Sequence, residues 1–170
     1  MRPVIQNLSL SIASLVLCVA LGEIALRALD FDKQIEFDLD QELYWRLRPN
    51  QTGFVWMGNA SFRSPEVRIN NLGLRGPDIF PDERNKLRIL ALGDSYTFGS
   101  GVRDDETFAT VLQQALGDGV EVINAGVPGY GIFQAERALR RLLPLLQPQI
   151  VLLTLPSGDI WRQPFASADE

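Results

Sequence analysis

The sequence predicts an α/β fold with a three-stranded parallel sheet, placed behind an N-terminal transmembrane helix. An uncharged apolar segment extends from residue 3 to residue 22. In helical form, at about 1.5 Å per residue, it matches a hydrocarbon core of about 30 Å. From residue 86 onward, short apolar runs alternate with amphipathic segments. This alternation is typical of strands joined by helical crossovers, and therefore of a parallel sheet covered by helices.

Composition limits the number of domains and the kinds of partner. The chain has 170 residues, of which 46% are hydrophobic, so one membrane segment and one modest domain fit. Its net charge is −5 and its basic residues are scattered, so we expect no nucleic-acid partner. The single cysteine, Cys18, cannot form a disulfide within the chain. The chain contains no histidine, the residue that hydrolases usually recruit as a base because its pKa lies near neutrality.

The first element, residues 1–29, is predicted to be an uncleaved anchor whose partner is the lipid bilayer. The alternatives are a cleaved signal peptide and a buried helix of a soluble domain. Against cleavage, the basic region before the apolar segment is Arg2 alone. Glu23 and Arg27 have the i,i+4 spacing that suits the turn where a helix leaves the lipid. Arg2 on one side and Arg27 with Lys33 on the other leave the orientation undecided.

The second segment, residues 30–85, is predicted to be an irregular lead-in with a few short strands. It is rich in Asp, Asn, Pro and Gly, with apolar or aromatic stretches at residues 53–57 and 67–69. The remaining residues, 86–170, form the predicted α/β domain. Its strands are expected where short apolar runs occur, at residues 88–92, 120–123 and 150–155.

Two helices are predicted between these strands. In the first, apolar residues recur at helical spacing between the acidic residues 104–106 and Gly117, namely at Phe108, Val111, Leu112, Ala115 and Leu116. In the second, leucines lie opposite arginines, with Leu139, Leu142 and Leu143 on one face and Arg137, Arg140 and Arg141 on the other. Pro144 and Pro148 are expected to end that helix.

The candidate site lies at the strand ends. In open α/β sheets ligands bind beyond the carboxyl ends of the strands, and small polar residues follow all three predicted strands, at 93–96, 124–126 and 156–159. Glycines there allow backbone N–H groups to face the crevice, and Ser95 can expose its hydroxyl to the same space. The alternative is that Ser95 is a turn residue that caps the following segment. An α/β-hydrolase elbow would need glycine where Thr97 stands.

These strand-end residues resemble two sequence blocks of the SGNH or GDSL superfamily of ester hydrolases. Leu90–Gly99 resembles the first block and Val122–Gly131 the second. Ile69–Gly76 is similar to the lead-in of bacterial members that carry an N-terminal membrane helix. The resemblance implies a partial flavodoxin-like, three-layer domain. It also implies a single-pass anchor in the bacterial inner (cytoplasmic) membrane, with the domain on the extracytoplasmic side.

The resemblance also implies roles for individual residues. Ser95 would be the nucleophile that forms an acyl-enzyme, and the backbone N–H groups of Ser95 and Gly126 would donate to the oxyanion. Weaker contributions are expected from neighbouring polar or turn residues, namely Asp94, Asn124, Ser157, Gly158 and Asp159. The expected substrate is an acylated small molecule or polysaccharide, with acyl or acetyl esters of carbohydrate or lipid as the reacting bonds. No cofactor and no metal are expected.

Two departures from the family pattern bear on activity. The family places an asparagine where Gly158 stands. It also supplies its base from an Asp-x-x-His block on a later loop, whereas this chain contains no histidine. We therefore expect a truncated, frameshifted or divergent member with little or no turnover of short-chain aryl esters. The competing interpretation is a non-catalytic, membrane-tethered binding or interaction protein that keeps the scaffold.

Overall fold

The computed structural model describes residues 2–29, 33–57, 62–83 and 85–154. The chain divides into two units, residues 1–34 and residues 35–170. The first unit contains helix α1 (Arg2–Ala28), of which Gln6–Ala28 is long and apolar enough to span a membrane. The Arg27 guanidinium lies 2.8 Å from the Glu23 carboxylate, as their spacing predicts.

The described part of the second unit contains short strands and three α-helices. The strands in chain order are β1 (Phe37–Asp40), β2 (Tyr44–Leu47), β3 (Gln51–Gly53), β4 (Trp56–Met57), β5 (Phe62–Arg63), β6 (Val67–Ile69), β7 (Leu87–Gly93), β8 (Val120–Gly126) and β9 (Ile150–Thr154). The helices are α2 (Ser95–Phe98), α3 (Phe108–Leu116) and α4 (Ile132–Leu146). A single 3-10 turn, Asp104–Glu106, precedes α3.

The main sheet is parallel with strand order β8-β7-β9, which confirms the α/β prediction and the partial flavodoxin-like arrangement. In the central strand β7, every residue from Arg88 to Gly93 is buried, which explains its nearly continuous apolar run. Gly93 pairs with Gly126 of β8 and with Thr154 of β9, so the three strands end level. The residues that follow β7 and β8 therefore lie at the same edge of the sheet.

The lead-in packs on this sheet. Its strands form antiparallel pairs, β1 with β2, β3 with β6 and β4 with β5. Its apolar side chains, among them Leu47 and Ile69, share one core with Leu90 and Phe98. The boundary expected after residue 85 therefore does not separate two packed units. The β1–β2 hairpin lies in the segment where a few short strands are predicted, but in β1 the apolar Phe37 and Leu39 are exposed, whereas Asp38 and Asp40 are half-buried.

Helix α3 forms where expected, but its apolar face is not the buried one. Phe108, Val111 and Leu116 are exposed, and Ala109 is buried. The reason lies in Gln113, whose side-chain amide donates to Val120 O (2.8 Å) and whose carbonyl oxygen accepts from Val122 N–H (2.7 Å). Because β8 is an edge strand, its unpaired backbone groups need such partners, and the helix presents its polar Gln113 to them.

Helix α4 was expected to end at Pro144, but it continues to Leu146. Proline in that position has no N–H to donate to the carbonyl four residues earlier, so the last turn of the helix forms with one backbone hydrogen bond fewer. The helix ends at Gln147, which adopts the left-handed conformation (φ 47°), and Pro148 follows it. Its buried residues are Ala135, Ala138, Leu142 and Leu146, and Leu143 is exposed.

Arg88 is a buried cation at the amino-terminal end of β7. Its guanidinium donates to the carbonyl oxygens of Phe80, Pro81, Glu83 and Leu146, and it pairs with Glu121 at 2.6 Å. We expect Arg88→Met to lower the free energy of unfolding by about 2 kcal/mol, because buried acceptors lose their donor.

The measurement for Arg88→Met is chemical denaturation of the full chain in detergent. Arg103→Met is the control, because Arg103 is exposed and its ion pairs with Asp105 and Glu106 lie on the surface. Equal losses in the two variants would contradict a special contribution from Arg88.

A salt bridge between Asp40 and Arg141 connects the lead-in to α4. The Asp40 carboxylate accepts from Arg141 at 2.7 Å, and that hydrogen bond holds the pKa of Asp40 far below its usual value. A carboxyl with a lowered pKa stabilises the fold above its unfolded pKa of about 4, and the contribution is lost as pH falls below that value. Arg141 is 37% exposed, so solvent screening keeps the effect small.

We expect Asp40→Asn to lower the free energy of unfolding by about 1 kcal/mol at pH 7 and by clearly less near pH 2.5. The asparagine oxygen can still accept from the N–H groups of Glu42 and Leu43, so the substitution tests the charge. Denaturation curves at the two pH values measure this, with the exposed Asp118→Asn as control. A difference that persists unchanged at low pH would contradict the assignment.

Candidate active site

Ser95 is the first residue of helix α2, directly beyond the central strand. Asp94 caps this helix: it is buried, and its carboxylate accepts from Tyr96 N–H at 2.9 Å. The backbone oxygen of Asp94 accepts from Phe98 N–H at 2.9 Å. Asp94 therefore shapes the turn, and Ser95 lies half-buried at the carboxyl edge of the sheet.

Gly93 allows the strand to turn into this helix. Its φ is +156°, and a Cβ atom here would lie 2.2 Å from Thr97 Oγ1 and 2.4 Å from Thr154 O. Only glycine leaves room for α2 and the end of β9 to approach so closely.

Gly126 lies at the end of β8, against the backbone of α2. A Cβ atom on Gly126 would lie 2.2 Å from Phe98 N and 2.6 Å from Thr97 C. The structure therefore brings together the two turns that contain Ser95 and Gly126, as the sequence predicts.

Asn124 connects these two turns. It is buried, its side-chain oxygen accepts from Gly126 N–H at 3.1 Å, and its side-chain nitrogen donates to Phe98 O at 3.3 Å. The N–H group expected to serve as an oxyanion donor is therefore bonded to Asn124 in this conformation.

A comparison with protein-family models finds a match that includes these elements. The model described as the GDSL-like Lipase/Acylhydrolase family matches residues 91–170. The match is consistent with the SGNH or GDSL superfamily. A search of curated proteins found no match to the chain. The matched range begins within β7 and includes Ser95, Asn124 and Gly126.

The loop that follows Gly126 in the GDSL-like domain is supported by the lead-in. Tyr130 O–H donates to Trp45 O at 2.7 Å, and Trp45 Nε1–H donates to Pro128 O at 3.2 Å. Burial raises the pKa of Tyr130, so this hydroxyl stays protonated and remains a donor. Gly129 adopts φ +86° and packs against the Trp45 ring. A Cβ atom added here would lie 3.1 Å from that ring.

Sequence reasoning missed Arg75, which contacts the far end of α2 from the lead-in. Its guanidinium donates to Phe98 O, Gly99 O and Val102 O and pairs with Asp104 at 2.8 Å. Burial lowers the pKa of Arg75, and Asp104 opposes that shift. The signal that the sequence carries is the position of Arg75 in the segment Ile69–Gly76, which forms part of the family resemblance.

Three further site residues are expected after β9 in the sequence. Ser157, Gly158 and Asp159 lie outside the described residues. Tyr96 is 74% exposed beside Ser95, whereas Phe98 is fully buried. The buried hydroxyl of Thr97 has no hydrogen-bond partner within the described part of the chain. Within the same ranges, no three His, Cys, Asp or Glu side chains come together in a way that could hold a metal ion.

Proposed function

We propose that the chain is a membrane-anchored ester hydrolase in which Ser95 is the nucleophile. The Ser95 oxygen attacks the ester carbonyl carbon, the bond to the alcohol oxygen breaks, and an acyl-enzyme forms; water then releases the acid and regenerates the serine. The serine proton passes to a base and from there to the leaving alcohol. The observation that carries this proposal is the location of Ser95 at the start of a helix, directly beyond the central strand of a GDSL-like domain.

The tetrahedral intermediate needs donors for its negative oxygen. The N–H of Ser95 belongs to the first turn of α2, where backbone N–H groups have no partner within the helix. Gly126 N–H is the second proposed donor, and it serves once Asn124 Oδ1 releases it. One such donor typically contributes about 10²–10³ in rate. Gly158 stands where the family has a donating asparagine, with Ser157 beside it as a substitute.

The rate expected of this polypeptide depends on whether a general base can accept the Ser95 proton. A serine hydroxyl is a weak nucleophile at neutral pH, and general-base catalysis typically contributes about 10²–10⁴ in rate. Because the chain contains no histidine, we expect slow turnover unless a base is added.

A second candidate function is suggested by the lack of histidine in this chain. The chain would then be a tethered protein that binds acylated ligands and does not cleave them. In both cases we propose that the ligand is an acyl or acetyl ester of carbohydrate or lipid. We also propose that α1 anchors the chain in the bacterial inner membrane, with the domain on the extracytoplasmic side.

Added imidazole distinguishes the two candidates. The full chain in detergent is incubated with a fluorophosphonate, and the modified peptide is identified by mass spectrometry with and without added imidazole. The hydrolase proposal expects a covalent adduct on Ser95 that forms faster with imidazole. Reversible retention of an acylated sugar, with no adduct under either condition, would favour the binding protein and reject the hydrolase.

A further inference from the structure

We infer that Arg75 is a positioning residue for Ser95 and Gly126, so that the lead-in is part of the active site of the GDSL-like domain. This inference rests on the proposed function, because it assigns Arg75 a role in the reactivity of Ser95. Arg75 belongs to the lead-in, before the range that matches the family model. Its side chain is only 1% exposed, so it supports the site from beneath.

The contacts of Arg75 are concentrated on one end of α2. The guanidinium donates to Phe98 O at 2.9 Å and to Gly99 O at 2.7 Å, and its carbon lies 4.9 Å from the centre of the Phe98 ring. These carbonyls end the four-residue helix that Ser95 begins. So short a helix has little stability of its own, because the last carbonyls of a helix lack partners within it. Asp94 caps one end of α2 and Arg75 caps the other.

The lead-in turn is built to deliver this side chain. The side-chain oxygen of Asn70 accepts from the N–H groups of Leu72 and Leu74 at 2.9 and 3.0 Å. Gly73 adopts φ +76°, and an added Cβ there would lie 2.7 Å from Leu47 O. The tight turn returns the chain to the sheet, where the backbone of Arg75 forms antiparallel β-bridges with Ile69 and with Asn124.

Arg75 also reaches Gly126 through one shared acceptor. Phe98 O accepts from both Arg75 and Asn124, and Asn124 in turn accepts from Gly126 N–H. Displacing Phe98 O therefore disturbs the nucleophile turn and the proposed oxyanion donor together. This continuous path is the reason to assign Arg75 a role beyond general stability.

The charge of Arg75 is already balanced. Asp104 accepts from Arg75 Nε at 2.8 Å, and its second oxygen accepts from Arg68 N–H at 3.1 Å. A guanidinium that is buried and paired with a carboxylate acts on geometry, and we assign it no direct contact with substrate.

The test compares two buried arginines. Arg75→Met and Arg75→Lys are matched with Arg88→Met, which removes a buried guanidinium of similar bonding from the opposite end of β7. The rate of Ser95 modification by a fluorophosphonate is measured on the full chain in detergent and corrected for the folded fraction. Because a misplacement of about 1 Å can cost about 10²-fold, we expect a fall of about 10–100-fold for Arg75→Met. Arg75→Lys should retain part of the rate, and Arg88→Met should stay within about twofold of the original chain.

A second measurement does not depend on the chemistry of Ser95. Hydrogen exchange should accelerate selectively in the amides of residues 96–100 and 126–127 in Arg75→Met, and not in Arg88→Met. Equal rates and equal exchange per folded molecule in both variants would overturn the inference. An unmodified Ser95 in the original chain would reject the proposed function, and the exchange pattern would then decide whether Arg75 positions these turns. If Arg75→Met does not fold, the same two readouts on Arg75→Lys decide.

Discussion

Replacing Ser95 with alanine is expected to remove all covalent modification of the chain by a fluorophosphonate and to bring imidazole-stimulated ester turnover down to the level of imidazole alone. The reason is chemical: alanine has no oxygen with which to form the acyl or phosphonyl bond. The fold should be retained, because the side-chain cap of α2 comes from Asp94, whose carboxylate accepts from Tyr96 N–H. Mass spectrometry of the intact chain measures the adduct.

Ser100→Ala is the matched control for this substitution. Ser100 lies two residues after the end of α2 and is half-buried like Ser95, and its N–H donates to Ser95 O at 2.9 Å, a backbone contact that alanine preserves. We expect Ser100→Ala to react at the original rate. An adduct that persists in Ser95→Ala, or is lost in Ser100→Ala, would show that Ser95 is not the nucleophile.

The second large effect is expected from Gly126→Ala. The added methyl group would lie 2.2 Å from Phe98 N and 2.6 Å from Thr97 C, both backbone atoms that cannot rotate away. Overpacking of this kind commonly costs about 1–3 kcal/mol, and contacts with two backbone atoms place this substitution at or above about 3 kcal/mol. Because α2 must move to relieve the contact, Ser95 should also lose reactivity in the fraction that still folds.

Gly119→Ala provides the comparison for Gly126→Ala. Gly119 precedes the same strand, and an added Cβ there meets nothing within 4 Å. We expect its free energy of unfolding to stay within about 0.5 kcal/mol of the original, as for other surface substitutions. Urea denaturation followed by tryptophan fluorescence measures both variants. A Gly126→Ala domain as stable and as reactive as Gly119→Ala would show that the close packing of β8 against α2 is not required.

The strands and helices of the main sheet could be predicted because their signals are local. Buried parallel strands require apolar runs, and the runs near residues 88, 120 and 150 have few other interpretations. The helix faces were harder to predict. Leu143 and Val111 fit an apolar stripe by spacing, but both are exposed, because burial depends on what covers the helix. The spacing in α3 could not reveal that Gln113 would bind the edge of β8.

The residues of the candidate site also differ in whether the sequence could predict them. Ser95 could be located from its own turn, since glycine, a capping acid and a serine directly follow an apolar run. Arg75 could not, because its acceptors are backbone carbonyls more than twenty positions further along the chain. Backbone acceptors are the same for every residue type, so the sequence carries no trace of which carbonyl a distant arginine will bind.

The amino-acid sequence by itself determined the apolar N-terminal helix, the alternation of strands and helices, and the position of Ser95 beyond the first strand of the main sheet. These features depend on hydrophobic periodicity and on turn-forming residues, which act over a few neighbouring positions. Only the tertiary structure decided that the lead-in shares the core of the domain, that Gly126 N–H is bonded to Asn124, and that Arg75 caps the nucleophile turn. Each of these arises where distant segments meet in the folded chain, and local sequence patterns carry no information about such meetings.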